Sequence, residues 1–322
     1  MPRLAAAASP GDSEADTAAR TVDRSSETAV EVLVIGEALI DITSGPDGSR
    51  EVPGGGPANV ALGLGRRGVD VALLTNLGRD ARGSAITRHL EKSGVWVLAE
   101  SFVRDTTSTA VATITADGSA RYDFDVRWAA SQAPLHVRPR AVHTGSVAAF
   151  LGPGDAVVLQ QLDRLQPDIV TFDPNIRPAL ISDAAHARSR FEEFARRATV
   201  VKLSDEDAEF LYPDVAIPGV LDAIGSLGPR LVAVTRGSQG AVLAAEGLVV
   251  EVPGRAVSVL DTIGAGDTFM SSLIFDYIAL EEQALSAETL ADIGGRAATA
   301  ASITVARAGA DLPWQHELAE LA

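Results

Sequence analysis

The chain has 322 residues, a formal net charge of −16, 46% hydrophobic and 22% charged residues, and no cysteine. Such values belong to a globular chain of one large domain with at most a small appendage, and they exclude disulfides, thiolate metal sites and cysteine nucleophiles. The acidic balance disfavours nucleic acid and anionic membrane surfaces as partners, and no run of about 18 apolar residues is present to cross a bilayer.

Residues 1–29 are rich in Ala, Ser, Asp and Thr, lack apolar periodicity, and are expected to form a disordered tail. The four alanines at 5–8 are too short for a secretory segment, which with the absence of cysteine points to the cytoplasm. Val30–Ile35 is an apolar run ended by Gly36, the pattern of a buried parallel strand. A helix is predicted over 57–67, a strand over 69–75 and a second helix over 81–92. Between 96 and 128 the pattern turns to strict alternation around Asp117-Gly118, a hairpin signal, so a small antiparallel lid is expected there. From about 140 the rhythm is strand and helix again, with strands predicted at 140–144, 168–172, 198–202, 231–235 and 241–245. Alternating β and α predicts a mostly parallel sheet covered on both faces.

Several nucleotide and hydrolase motifs are absent. The two lysines, Lys92 and Lys202, lie in Glu-Lys-Ser and Val-Lys-Leu, so neither belongs to a Gly-Lys-Ser/Thr phosphate loop. Gly63-Leu-Gly65-Arg-Arg-Gly68 matches a dinucleotide fingerprint, but it ends a helical pattern and precedes a strand, the reverse of the required order. Close helix packing accounts for these glycines. The five histidines show no metal-binding spacing.

The segment Asp261-Thr-Ile-Gly264-Ala265-Gly266-Asp267 carries the chemistry. Phe269, Met270, Leu273, Ile274, Tyr277 and Ile278 follow at helical spacing, so the Gly-Ala-Gly turn opens a helix. Converging amides and the positive helix end make an anion hole that needs no lysine. Asp267 falls in the first turn, where it is either a helix cap or a general base beside a bound phosphoryl group.

The string Asp261–Phe269 resembles the C-terminal signature of the PfkB, or ribokinase-like, carbohydrate kinases. Other motifs of that family follow its order: GEALID at Gly36–Asp41, GGGPAN at Gly54–Asn59, LGRDARG at Leu77–Gly83, KLSDED at Lys202–Asp207 and TRGSQG at Thr235–Gly240. FDPNIR at Phe172–Arg177 is similar to the fructokinase form. The resemblance implies a ribokinase-like three-layer α/β/α fold over 30–322, with a mostly parallel central sheet and a small antiparallel β lid drawn from about 38–56 and 96–128. It implies an ATP-dependent sugar kinase, most like a fructokinase. A 2-keto-3-deoxygluconate kinase, a nucleoside kinase and a non-catalytic sugar-binding regulator are the alternatives.

By the same resemblance Asp41, Gly54, Gly55, Asn59 and Arg121 hold the sugar, Asp267 is the base, and Gly264, Ala265 and Gly266 stabilise the transferring charge. Asp173, Asn175, Ser204, Thr235, Gly237, Gly240 and Ala298 take the nucleotide. Asp207 orients Mg²⁺ from its outer shell, Asp261 and Ile263 contribute to a K⁺ site, and the lid edges pair two subunits into a homodimer. Two positions depart from the family pattern. Ser204 and Asp207 replace Asn and Glu, and Ala298 replaces an adenine-side Asn, leaving base recognition to packing.

Overall fold

The apolar run becomes β1 (Thr28–Ile35), the strand about which the chain is organised in a computed structural model that describes residues 28–45, 48–114, 120–134, 136–181, 183–280 and 285–320. Val32 and Val34 face one helical layer and Leu33 and Ile35 the other, all fully buried. A strand alternates its side chains between two faces, so burial on both requires a layer on each.

From β1 the chain makes the hairpin β2 (Leu39–Gly45) and β3 (Gly48–Gly54), then α1 (Gly56–Arg66) and β4 (Val71–Leu74). The two-residue β5 (Leu77–Gly78), α2 (Ala81–Glu91), β6 (Val95–Val97) and β7 (Phe102–Arg104) follow. Strands β8 (Thr109–Ile114) and β9 (Ala120–Asp125) pair antiparallel before β10 (Val137–Gly145) returns beside β1. After α3 (Val147–Phe150) and α4 (Gly154–Leu165) come β11 (Ile169–Asp173), α5 (Ala184–Ala195) and β12 (Val200–Ser204). The short α6 (Asp205–Leu211) and α7 (Ile217–Gly225) lead to β13 (Leu231–Thr235), β14 (Ala241–Ala245) and β15 (Leu248–Val252). The chain closes with α8 (Ala265–Ala279), α9 (Ala287–Val305) and α10 (Gln315–Ala319).

Nine strands form the central sheet in the order β15-β14-β13-β12-β11-β10-β1-β4-β6. Neighbours are parallel from β13 to β6, and β14 and β15 add an antiparallel edge. The chain winds outward from β1 toward β6, then crosses to β10 and winds the other way. That reversal opens a crevice at the carboxyl ends of β1 and β10, where open α/β sheets bind ligands. Helices α1, α2, α8 and α9 cover one face and α4, α5, α6 and α7 the other. This is the expected three-layer α/β/α architecture. Among the described residues no helix is long and apolar enough to cross a membrane.

The glycine fingerprint at 63–68 is a packing device. A Cβ on Gly63 would overlap the Ser271 hydroxyl of α8, and one on Gly65 would overlap the Ser93 carbonyl. Gly68, at φ +80°, ends the helix region by donating to the Gly65 carbonyl.

The lid is a four-stranded sheet in the order β3-β2-β8-β9. Two details differ from expectation. Its second half begins at Thr109 and not at 96, because Val95 and Val97 are buried against the core and extend the central sheet beside β4. Its middle pair, β2 and β8, is parallel, and only the outer pairs are antiparallel. A long connection joins β2 to β8, so no hairpin turn constrains their direction. The Asp117-Gly118 turn and residues 1–27 of the expected tail lie outside the described residues, while Thr28 and Ala29, expected in that tail, belong to β1.

Asp80 joins the helical layer to the lid's approach. It caps α2 by accepting the Gly83 amide at 2.7 Å, and it accepts the Thr107 hydroxyl at 2.7 Å and the Thr107 amide at 2.8 Å. Asp80→Ala should lose about 1–3 kcal/mol of stability, since it removes a cap and orphans a buried amide. Urea denaturation reads this directly, and an unchanged midpoint would show that the carboxylate does not hold the junction.

Candidate active site

The site starts at the amino end of α8. Gly264 is its N-cap in the left-handed region, at φ +81°, and a Cβ there would lie 2.8 Å from that of Ala310. The Gly264 carbonyl accepts both the amide and the hydroxyl of Thr268 at 2.8 Å, which closes the first turn. Asp261 pins the approach to that turn. One oxygen accepts the Ile263 amide at 3.0 Å and the other the Gly309 amide at 2.8 Å, while the Leu260 and Asp261 amides both reach the Val305 carbonyl. Of the first-turn amides of α8, Ala265 donates to the Thr262 carbonyl at 3.3 Å, while those of Gly266 and Asp267 have no preceding carbonyl of the helix to serve.

Asp267 stands in that turn and is buried. The Asn59 side-chain amide of α1 donates to its Oδ2 at 2.8 Å, and the Asn175 amide, just after β11, reaches Oδ1 at 3.5 Å. Burial raises its pKa, against the Asn59 hydrogen bond and the charges of Lys202 and Arg177. Three elements far apart in sequence thus aim one carboxylate. Asn59, expected on the sugar, spends its amide on Asp267 and orients it.

The glycine loop fits around the acids. A Cβ on Gly54 would overlap the Asp41 carboxylate, and one on Gly55, at φ +108°, would lie 2.6 Å from the Glu37 carbonyl. A Cβ on Gly56 would sit 2.7 Å from the Asn175 amide and 3.4 Å from Asp267 Oδ1. Asp41, on β2, is pushed up to about 6 by burial, opposed by the charge of Arg177 and reinforced by that of Asp267. Arg177 donates to the Asn175 side-chain oxygen at 2.6 Å and so bridges the acids and the β11 loop. The side chain of Arg121 lies outside the described residues.

A cavity of about 760 Å³ opens on the other side of Asp267's turn. Its polar end is walled by Asn175, Lys202, Ser204, Asp207 and Gly266. Thr235, Gly237 and Gly240, from the β13–β14 turn, line its flank, and Ala298, Ala301 and Val305 of α9 form an apolar end with Val257 and Val259. The turn needs its glycines, with Gly237 at φ +52° and Gly240 at φ +89°.

Asp173, expected on the nucleotide, and Asp207, expected at Mg²⁺, are both engaged with the scaffold. Asp173 does not line the cavity. It is buried, with Oδ2 2.9 Å from Lys202 Nζ, and burial pushes it up to about 6. A carboxylate taken out of water needs a cation close by, and Lys202 is that cation. Asp207 lines the wall, but its oxygens accept the Ile176 amide at 2.8 Å and the Ser204 amide at 3.0 Å, the latter half of a capping box that Ser204 completes. Among the described residues no group of three or more His, Asp or Glu side chains forms a metal cage.

Sequence reasoning passed over Lys202 and Glu37. A lone lysine between Val201 and Leu203 in a strand of buried residues was the available signal for the first. For the second it was an acid inside the apolar run Val34–Ile40.

Comparison with known proteins agrees with this geometry. Residues 29–317 match the model of the pfkB family carbohydrate kinases. A fructokinase of Rhizobium leguminosarum bv. trifolii is 31% identical over 276 residues, covering 79% of this chain and 83% of that protein. A fructokinase of Salmonella typhimurium is 30% identical over 309 residues, covering 89% and 97%. Among solved structures, a fructokinase double mutant from Vibrio cholerae O395 with fructose, ADP and potassium bound superposes with a TM-score of 0.77 at 26% identity, covering 92% of this chain and 98% of that one.

Glu37 gives the site a pH signature. Burial pushes its carboxyl up to about 7 from the ordinary 4.5, against hydrogen bonds from the Ser146 hydroxyl and the Glu37 and Ala148 amides and the charge of Arg177. Its Oε2 has no hydrogen-bond partner among the described residues. The folded protein therefore keeps a proton that the unfolded chain releases above pH 4.5. The resulting stability is fully present below that pH and is lost as pH rises through 7, by up to about 3 kcal/mol. Glu37→Gln should flatten this decline in urea melts at pH 5 and pH 8, leaving the smaller slope that Asp41 and Asp173 contribute with the same sign. An identical slope in both proteins would show that Glu37 does not titrate in this window.

Proposed function

The chain belongs to the pfkB family of carbohydrate kinases, and on that premise we propose that this sugar kinase is an ATP-dependent fructokinase with Asp267 as its general base. The observation that carries the proposal is the position of the Asp267 carboxylate. It lies in the first turn of α8 against the glycine loop at Gly56, held by Asn59 and Asn175.

In this mechanism Asp41 accepts sugar hydroxyls, while Gly54 and Gly55 let the ring approach the backbone. Asp267 takes the proton of the attacking hydroxyl, the sugar oxygen bonds to the γ-phosphorus, and the bond to the β–γ bridging oxygen breaks, leaving ADP with the electron pair. The amides at Gly264, Ala265 and Gly266 meet the charge on the transferring group. Asn175, Ser204, Thr235, Gly237 and Gly240 flank the phosphates, and Ala298 packs on the base. Asp207 on the cavity wall would orient a nucleotide-bound Mg²⁺ through water, and the ion would supply neutralisation of phosphate charge. The lid closes over the sugar, excluding the water that would hydrolyse ATP. Its outer strand β9 has an open edge for pairing with a second subunit, and the cytoplasm is the matching compartment.

An acidic sugar such as 2-keto-3-deoxygluconate is the second reading, favoured by Arg177, whose charge reaches Asp41. Arg104, at the end of β7, is engaged, donating to the Ser108 hydroxyl at 3.0 Å and the Arg127 carbonyl at 3.2 Å.

ADP release with ATP, Mg²⁺ and a panel of fructose, other hexoses, 2-keto-3-deoxygluconate and nucleosides tests the assignment. Fructose should give the highest kcat/KM. Preference for the acid sugar would install the second reading, and turnover of none would remove both. In the same assay Asp267→Asn should cost about 10²–10⁴-fold in kcat while sugar binding persists. Since burial raises the pKa of Asp267, the acid limb of the wild-type kcat profile should lie above the ordinary carboxylate range.

Potassium should also raise turnover. Asp261 and Ile263 adjoin the α8 turn, and a potassium-bound fructokinase shares this fold. A flat response to millimolar K⁺ in Tris buffer would remove the cation from the mechanism.

A further inference from the structure

Lys202 lies in β12 on the same face as Val200, pointing toward α8, because alternate strand residues share a face. It is 3% exposed, yet it lines the nucleotide cavity. Its Nζ is 2.9 Å from Asp173 Oδ2 and 3.0 Å from where a Cβ on Gly266 would sit. Gly266 lies within a helix and is not among the positive-φ glycines, so its backbone would accept alanine. The neighbouring ammonium is what a side chain there would disturb.

The pair is poorly suited to be a mere strut. A buried ion pair stabilises little compared with apolar side chains of the same volume, and one left incompletely hydrogen-bonded stabilises less. Asp173 Oδ1 has no hydrogen-bond partner among the described residues. Asp173 from β11, Asp207 from α6 and Asp267 from α8 all act on the ammonium, and His143 from β10 faces it as a neutral ring. Burial pulls Lys202 down, and the three carboxylates outweigh it, so the group stays charged.

We propose that Lys202 is a further catalytic residue of the phosphoryl transfer, contacting the transferring group beside Gly266, and that Asp173 is the positioning residue that holds it there. The proposal rests on the sugar-kinase reading above. Lys202 neither gains nor loses a proton. One N–H donates to a non-bridging oxygen of the γ-phosphoryl while the hydroxyl proton goes to Asp267 and the electron pair leaves with ADP. Without Asp173 the four-carbon stem would be free to carry the ammonium away from that oxygen.

The test compares Lys202→Met, Asp173→Asn and the double variant K202M/D173N, which removes both members of the buried pair together and so keeps the fold testable. Sugar-dependent ADP release is measured across pH, together with calorimetric affinities for ADP and for an ATP analogue with a non-hydrolysable β–γ bond. Both variants lacking Lys202 should lose about 10²–10³-fold in kcat, the loss typical of removing one donor to a transition-state oxyanion. Affinity for the analogue should fall while affinity for ADP, which lacks the γ-phosphate, holds. Asp173→Asn should bring the alkaline limb of kcat to lower pH, because Lys202 loses its nearest carboxylate, and the double variant should lack that shift. A double variant within tenfold of wild type, equal losses for ADP and analogue, or an unshifted Asp173→Asn profile would overturn the proposal. If the wild type turns over no sugar, the kinase reading fails separately, and the ADP-against-analogue comparison still decides the contact.

Discussion

A carboxylate held out of water at the foot of a helix is the constraint on which the rest of the site depends. Asp267 is buried in the first turn of α8, where burial raises its pKa. A buried carboxylate needs donors that cannot drift away. The Asn59 amide at 2.8 Å comes from α1 and the Asn175 amide at 3.5 Å from the end of β11. Each donor therefore commits an element. Helix α1 must pack against α8, which the side-chain-free surface of Gly63 permits, and β11 must end beside α8, which the parallel order of the sheet provides.

The topology places this carboxylate beside two differently lined parts of the crevice. The reversal of winding between β1 and β10 opens the crevice, and the chain fills its two sides differently. Toward the lid stand Asp41 and the Gly54–Gly56 loop, short of side chains and rich in oxygen. Toward β12, β13 and α9 stands the larger cavity, polar near Lys202 and Ser204 and apolar near Ala298 and Val305. A polyol and a nucleotide triphosphate need these two characters, and the glycines are where the backbone must come close to an acid or an amide. Four acids converge here: Glu37, Asp41, Asp173 and Asp267. Burial raises all four, and Lys202 and Arg177 are the cations that offset their charge.

Much of this was legible before any coordinates. The periodicity after Gly266 predicted α8, the Val30–Ile35 run predicted the central strand, and the order of short motifs predicted the fold and the chemistry. The helix reading of the glycine fingerprint also stands, with Gly68 as its stop. Partnerships were not legible. Asn59 and Asp267 are 208 residues apart, and nothing local to Asn59 distinguishes an amide that touches sugar from one that orients a base. Asp173 sat in a motif associated with nucleotide, yet its partner is Lys202, whose strand neighbours concealed it. The lid's second half was placed too early, because Val95–Val97 alternates as well as a lid strand does and only its burial beside β4 reveals its sheet.

The sequence by itself determined the local backbone: where strands stop, where glycine must turn, and which helix end gathers amides. These depend on steric and hydrogen-bonding rules that act within a few residues, and a motif of seven residues contains all of them. Tertiary structure alone decided which charges meet and which donors each buried carboxylate accepts. A buried charge takes its pKa and its role from groups brought to it by packing, and packing is a property of the whole sheet.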